Sequence, residues 1–140
     1  MAQNIREVMT PTPRTVPAGG SLIDAARVMR DADVGAVIVL KSGEETAGIL
    51  TDRDIVVRAL AEQRDPTSTR VEEICSEDLT TLSPTDSVED AIRLMREKAV
   101  RRLPVVENGH PVGIVSIGDL AIERDPDSAL ADISAAPSNE

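Results

Sequence analysis

The feature that most constrains this chain is that it says nearly the same thing twice. Residues 5–40 align without gaps to residues 71–106 at an offset of 66, so that Ser21, Asp24, Arg27 and Met29 fall on Ser87, Asp90, Arg93 and Met95. Beyond the "SGEE" turn the offset drops to 65, and "GILTDRD" at 48–54 answers "GIVSIGD" at 113–119. A repeat of this length is one supersecondary unit that cannot bury its apolar side alone. Two copies are too few for an open solenoid, so the expected architecture is two units burying each other about a pseudo-twofold axis. The boundaries read as 1–66 for the first copy and 67–123 for the second, with 124–140 an acidic tail.

Each copy has the same local pattern. A short extended segment (Arg14–Val16; Leu79–Leu82) precedes a helix opened by Ser21-x-x-Asp24 or Ser87-x-x-Asp90, where serine can cap the first free amides and an acid sits in the first turn. Apolar residues then recur with helical spacing at Leu22, Ala25, Ala26 and Met29, and at Val88, Ala91, Ile92 and Met95. A compact apolar run follows ("AVIVL", "LPVV"), then a tight turn ("KSGEET", "ENGH"), then a second strand ending on Thr51 or Ser116. A second helix is predicted to start there, over Asp52–Ala61 and Ile117–Glu123, and Gln63–Thr69 links the copies. The fold class is therefore α/β, in the order β-α-β-β-α, twice.

Composition narrows the function. The 140 residues carry a net charge of −10, which opposes phosphate backbones and anionic lipid surfaces, so neither nucleic acid nor membrane is expected as a partner. No apolar run suits a bilayer, no signal core opens the chain, and one cysteine makes no internal disulfide, so a cytoplasmic protein is expected. There is no Phe, Trp or Tyr, which leaves the core to Val, Ile, Leu, Met and Ala. Catalytic material is thin. His110 is a lone turn histidine, Cys75 aligns with Met9 as packing, and no Ser-His-Asp set or Cys/His metal cluster exists. No enzyme activity and no metal site are expected.

The repeated Gly-x-x-[Thr/Ser]-x-x-Asp is the chemistry worth weighing. Where a strand ends and a helix starts, amide groups point outward and the dipole favours an anion. The hydroxyls of Thr51 and Ser116 suit a phosphate oxygen. One turn later, Asp54 and Asp119 are acceptors that suit the paired hydroxyls of a ribose. The glycine permits close approach by backbone or by a flat ring. The same residues also make an ordinary helix cap, and a duplicated fold duplicates its caps.

Over nearly all of its length the chain resembles a pair of CBS domains, the Bateman module, in its free-standing bacterial form, which includes the small hypoxia-response proteins. The residues that carry the resemblance are Gly48–Asp54 and Gly113–Asp119, with "VRRLPVV" at 100–106 and the opening "REVMTP". The resemblance implies a non-enzymatic regulatory module that binds adenine nucleotides (AMP, ADP or ATP) in the cleft between the repeats. Asp54 and Asp119 would take ribose and Thr51 and Ser116 phosphate. Adenine would lie against Val37 in one copy and against Leu103 and Pro104 in the other, and the segments near Thr15 and Thr81 would lend backbone contacts. Arg101 and Arg102 stand where the first copy has Gly35 and Ala36, as phosphate partners for one site. Arg53 offers the other a substitute cation, so one site should be tighter, without saying which. No cofactor is required, magnesium would accompany ATP, and a homodimer answering to an unknown effector protein is expected. The alternative is a homodimeric interaction or stress-response module without a nucleotide.

Overall fold

A computed structural model describes residues 4–75 and 79–124, so the reading of 124–140 as an acidic tail lies outside the described residues beyond Arg124. The chain opens with a 3₁₀ turn (Ile5–Glu7) and strand β1 (Thr10–Pro11). Next come β2 (Thr15–Pro17), helix α1 (Leu22–Ala32), β3 (Ala36–Lys41), β4 (Glu45–Thr51) and a helix that starts as α2 (Asp52–Asp54) and continues as a π-helical stretch (Ile55–Leu60). After a short helix α3 (Val71–Ile74) the pattern returns as α4 (Val88–Lys98), β5 (Arg102–Glu107), β6 (His110–Ser116) and α5 (Ile117–Arg124).

The local signals act as their chemistry requires. Ser21 and Ser87 accept the Asp24 and Asp90 N–H groups at 3.1 and 3.0 Å, capping α1 and α4. Leu22, Ala25 and Met29 are buried along one face, as are Val88, Ala91 and Met95, whereas Ala26 faces solvent. Both helices end on a left-handed residue, Asp33 and Ala99. The turn between β5 and β6 is the expected Asn108-Gly109 pair with both φ angles positive, and Gly43-Glu44 does the same between β3 and β4. Two departures stand out. The helix predicted as α over Asp52–Ala61 widens, with the Ala61 N–H bonded to the Val56 carbonyl five residues back. The extended segment before α4 pairs only as a single parallel bridge, Leu82 to Val105.

The chain forms two compact units, and their limits cut across the sequence repeats: the divisions fall after Thr12 and after Leu79. Pro13–Leu79 holds a three-stranded sheet in the order β2-β3-β4, with β2 parallel and β4 antiparallel to β3. Its core gathers Val16, Leu22, Ala25, Met29, Val37, Val39, Leu50 and Ala59 with Val71, Ile74 and Cys75, all three of which come from the start of the second repeat. The other unit holds β1-β6-β5, and its core takes Ile5 from the start of the first repeat. The linker is anchored as well: the Pro66 and Thr69 carbonyls accept the Ile23 and Leu22 N–H groups at the start of α1.

One core position is imperfect. Thr46 on β4 is 6% exposed, and its hydroxyl oxygen has no hydrogen-bond partner among the described residues. An unpaired buried hydroxyl is costly, and valine has the same shape without it. Thr46→Val should therefore raise stability by about 1 kcal/mol, read as the urea midpoint at unchanged m-value. An unchanged or lower midpoint would mean that the hydroxyl is solvated after all.

Candidate functional site

The strongest candidates occupy the two strand-to-helix junctions, one in each unit. At the end of β4 the Thr51 Oγ1 accepts the Asp54 N–H (3.1 Å), and Asp54 Oδ2 accepts the Thr51 N–H (2.9 Å). At the end of β6 the Asp119 N–H donates to Ser116 Oγ (3.1 Å) and the Ser116 N–H to Asp119 Oδ2 (2.9 Å). Both are reciprocal capping boxes, with aspartate at the third helical position. The sequence therefore encodes the cap and the candidate site with the same four side chains. Among the described residues the second carboxylate oxygen, Oδ1, is not hydrogen-bonded at either aspartate, and each hydroxyl still has its proton to donate. All four residues are half-buried.

The outward amides expected at these junctions are largely taken. The Asp52 N–H bonds the Gly35 carbonyl (2.9 Å), and the Ile117 N–H bonds the Arg101 carbonyl (2.9 Å). The Arg53 N–H is held by the Asp52 carboxylate at 2.8 Å. Ile117, which follows Ser116 as Asp52 follows Thr51, has no oxygen to hold Gly118 in that way. The junctions thus differ in charge. In the first, the exposed Arg53 stands between Asp52 and Asp54 in sequence; in the second, two exposed arginines, Arg101 and Arg102, lie in the segment alongside Ser116. The antiparallel register sets Arg102 directly across from Ser116, where the other unit has Ala36 across from Thr51.

The aliphatic residues named for adenine fall on different strand faces. Val37 and Leu103 are 1% and 2% exposed and belong to the unit cores, so they form no open wall. Strand alternation puts Pro104 on the opposite face, together with Ile38, its equivalent by the repeat offset. Ile38 is itself 0% exposed, so neither face of β3 is open at this point. Thr15 is exposed on β2, with its Cα paired to that of Ile38, and Thr81 is half-buried before the Leu82 bridge. Gly113 has a protein-internal reason: a Cβ there would lie 2.4 Å from Met9 Sδ and 3.0 Å from the Thr10 carbonyl, so backbone approach by β1, not a ring, requires it.

His110 is exposed and Cys75 buried, and no group of three or more His, Cys, Asp or Glu side chains suited to a metal occurs among the described residues. No described helix is long and apolar enough to cross a membrane.

Comparison with known proteins agrees with this architecture. The CBS domain family matches twice, over residues 5–60 and 71–124. The CBS domain-containing protein YhcV of Bacillus subtilis is 39% identical over 135 residues, covering 94% of this chain and 95% of that protein. Among solved structures, Hypoxic Response Protein I with two coordinated zinc ions superposes with a TM-score of 0.78 at 32% identity, covering 84% of this chain and 96% of that one. A putative signal-transduction protein with CBS domains from Burkholderia ambifaria gives 0.79 at 31% identity, covering 89% and 96%. The doubled β-α-β-β-α pattern, the paired junctions and these matches lead to one conclusion: the chain belongs to the CBS-domain family and carries two CBS domains in tandem.

Proposed function

We propose that this protein is a regulatory module that binds an adenine nucleotide through its strand-to-helix junctions, and that the Ser116–Asp119 junction is the better phosphate site. CBS-domain proteins are generally regulatory rather than catalytic, and adenosine-type ligands are typical of them. The observation that carries the reading here is the reciprocal Thr51–Asp54 and Ser116–Asp119 pairing. It holds a carboxylate and a hydroxyl rigidly side by side, with one acceptor and one donor left for a ligand, in both units. In this reading the carboxylate Oδ1 takes a ribose hydroxyl and the Thr51 or Ser116 proton goes to phosphate. Arg101 and Arg102 neutralise that phosphate in the second repeat, whereas Asp52 opposes it in the first. Magnesium enters only as a companion of a triphosphate.

The lack of aromatic residues makes the test simple. The protein itself hardly absorbs near 260 nm, so a band there that survives gel filtration would reveal a bound base. Added AMP or ATP should stabilise the fold, by about 2.7 kcal/mol per site at a hundred times the dissociation constant. Neither effect at millimolar nucleotide would refute the reading.

A second reading is favoured by a different observation. Val56, Val57 and Leu60 are exposed in one unit, and Ile117 and Ile122 in the other. Beside α4 and α5, Ile92, Met95, Val100, Ile117, Leu120 and Ala121 line an apolar groove of about 360 Å³. Such surfaces support self-association, through which an effector could read the module with or without a nucleotide.

A further inference from the structure

The opening segments of the two repeats dock by one pattern, each onto the other repeat. The Ile5 and Arg6 N–H groups bond the Asp86 and Pro84 carbonyls (2.9 and 3.0 Å), and Asn4 bridges Ser87. The Val71 and Glu72 N–H groups bond the Gly20 and Ala18 carbonyls (2.8 and 2.9 Å), and Arg70 bridges Ser21. Every partner in one set is the partner in the other shifted by the 66-residue offset. Each segment presents three apolar residues at matching positions, Ile5, Val8 and Met9 against Val71, Ile74 and Cys75, so apolar pattern alone does not name the partner, although the residues differ in size.

Charge does distinguish the two. Arg6 lies 3.1 Å from Glu107. The equivalent positions in the other dock are Glu72 and Lys41, the same two positions with their charges reversed. Lys41 and Glu72 both line a groove of about 600 Å³, where Lys41 reaches Glu45 (3.9 Å) and Glu72 reaches Arg70 (3.7 Å). Were each segment to dock on its own repeat, Arg6 would meet Lys41 and Glu72 would meet Glu107, like charges in both places. We propose that each sheet carries a charged recognition surface for an opening segment of opposite sign, Glu107 for Arg6 and Lys41 for Glu72, and that this pairing assigns each segment to the opposite repeat. One exposed ion pair contributes little. The choice depends on a difference, however, in which two attractions are exchanged for two repulsions.

The full chain tests this with disulfide reporters in a Cys75→Ala background. Asn4→Cys with Ser87→Cys closes only when the segments cross; Asn4→Cys with Ser21→Cys closes only when they do not. With native charges the first pair should close and the second should stay open. The inverted variant Lys41→Glu/Glu107→Lys should raise uncrossed relative to crossed closure by about tenfold. Adding Arg6→Glu and Glu72→Lys should restore the native ratio. An unchanged ratio in the inverted variant, or no restoration, overturns the proposal. If the inverted variant does not fold, melting temperatures decide: Arg6→Glu/Glu107→Lys must recover most of what Glu107→Lys loses, and equal or greater loss overturns it.

Discussion

Ile5→Ala is expected to destabilise the unit that contains the second repeat, by about 2–5 kcal/mol, although the residue lies at the start of the first. Ile5 is 0% exposed, within a core of Leu82, Val88, Ala91, Met95, Leu103, Val105, Val115 and Leu120. Its N–H bonds the Asp86 carbonyl, and its own carbonyl accepts the Val8 N–H (3.0 Å), so the side chain is held where a cavity would not collapse easily. The loss should be localised. In native-state hydrogen exchange, α4, β5 and β6 should lose protection first, while α1, β3 and β4 keep most of theirs. Val71→Ala, its counterpart in the other unit, should show the reverse order. If Ile5→Ala instead weakened α1 and β3 first, or cost much less than 1 kcal/mol, the crossed docking of the opening segments would be wrong.

The second large effect concerns the two junctions. Arg101→Ala/Arg102→Ala should weaken AMP binding by about 10–100-fold, since hydrogen bonds to charged groups contribute roughly 1.5–3 kcal/mol and each 1.4 kcal/mol is tenfold. Adenosine, which lacks the phosphate, should bind the double variant and the parent within about twofold. Arg53→Ala should have a smaller effect on AMP, because that junction carries one arginine and two aspartates, Asp52 and Asp54, whose charge opposes a phosphate. Asp119→Asn is the appropriate variant for the ribose contact. Asparagine keeps an oxygen to accept the Ser116 N–H, so the cap survives, whereas alanine would cost about 1 kcal/mol of helix capping and confuse stability with binding. Isothermal titration of AMP and adenosine at two salt concentrations separates these contributions. Equal losses for both ligands in the double arginine variant would remove the arginines from the phosphate site.

Much of the candidate site was legible in the residues because it is local. A hydroxyl residue, two positions and an aspartate make a capping box on any helix start, and the structure forms both boxes with nearly identical geometry. Which strand face is core is less legible: all four residues from Ala36 to Val39 are buried, and only the strand's alternation separates Val37 and Val39, in the unit core, from Ala36 and Ile38. Gly113 reads as room for a backbone or a flat ring, and only the position of β1 shows that a backbone takes it. The amides at the helix starts read as free until the Gly35 and Arg101 carbonyls, just ahead of β3 and β5, take two of them.

By itself the sequence determined most of what is set by neighbours along the chain, the π-helical widening after Asp54 excepted. That covers the doubled element order, the serine caps of α1 and α4, the Asn108-Gly109 turn, and the hydroxyl–carboxylate pairs at the ends of β4 and β6. Only the tertiary structure decided which core each opening segment joins, which strand face is core, and how the two junctions differ in satisfied amides. The physical reason is that caps, turns and helical faces are chosen by interactions a few residues apart, while a docked Ile5 or Val71 answers to partners dozens of positions away. Apolar residues of similar shape fit either partner, so no local pattern can name the one they will meet.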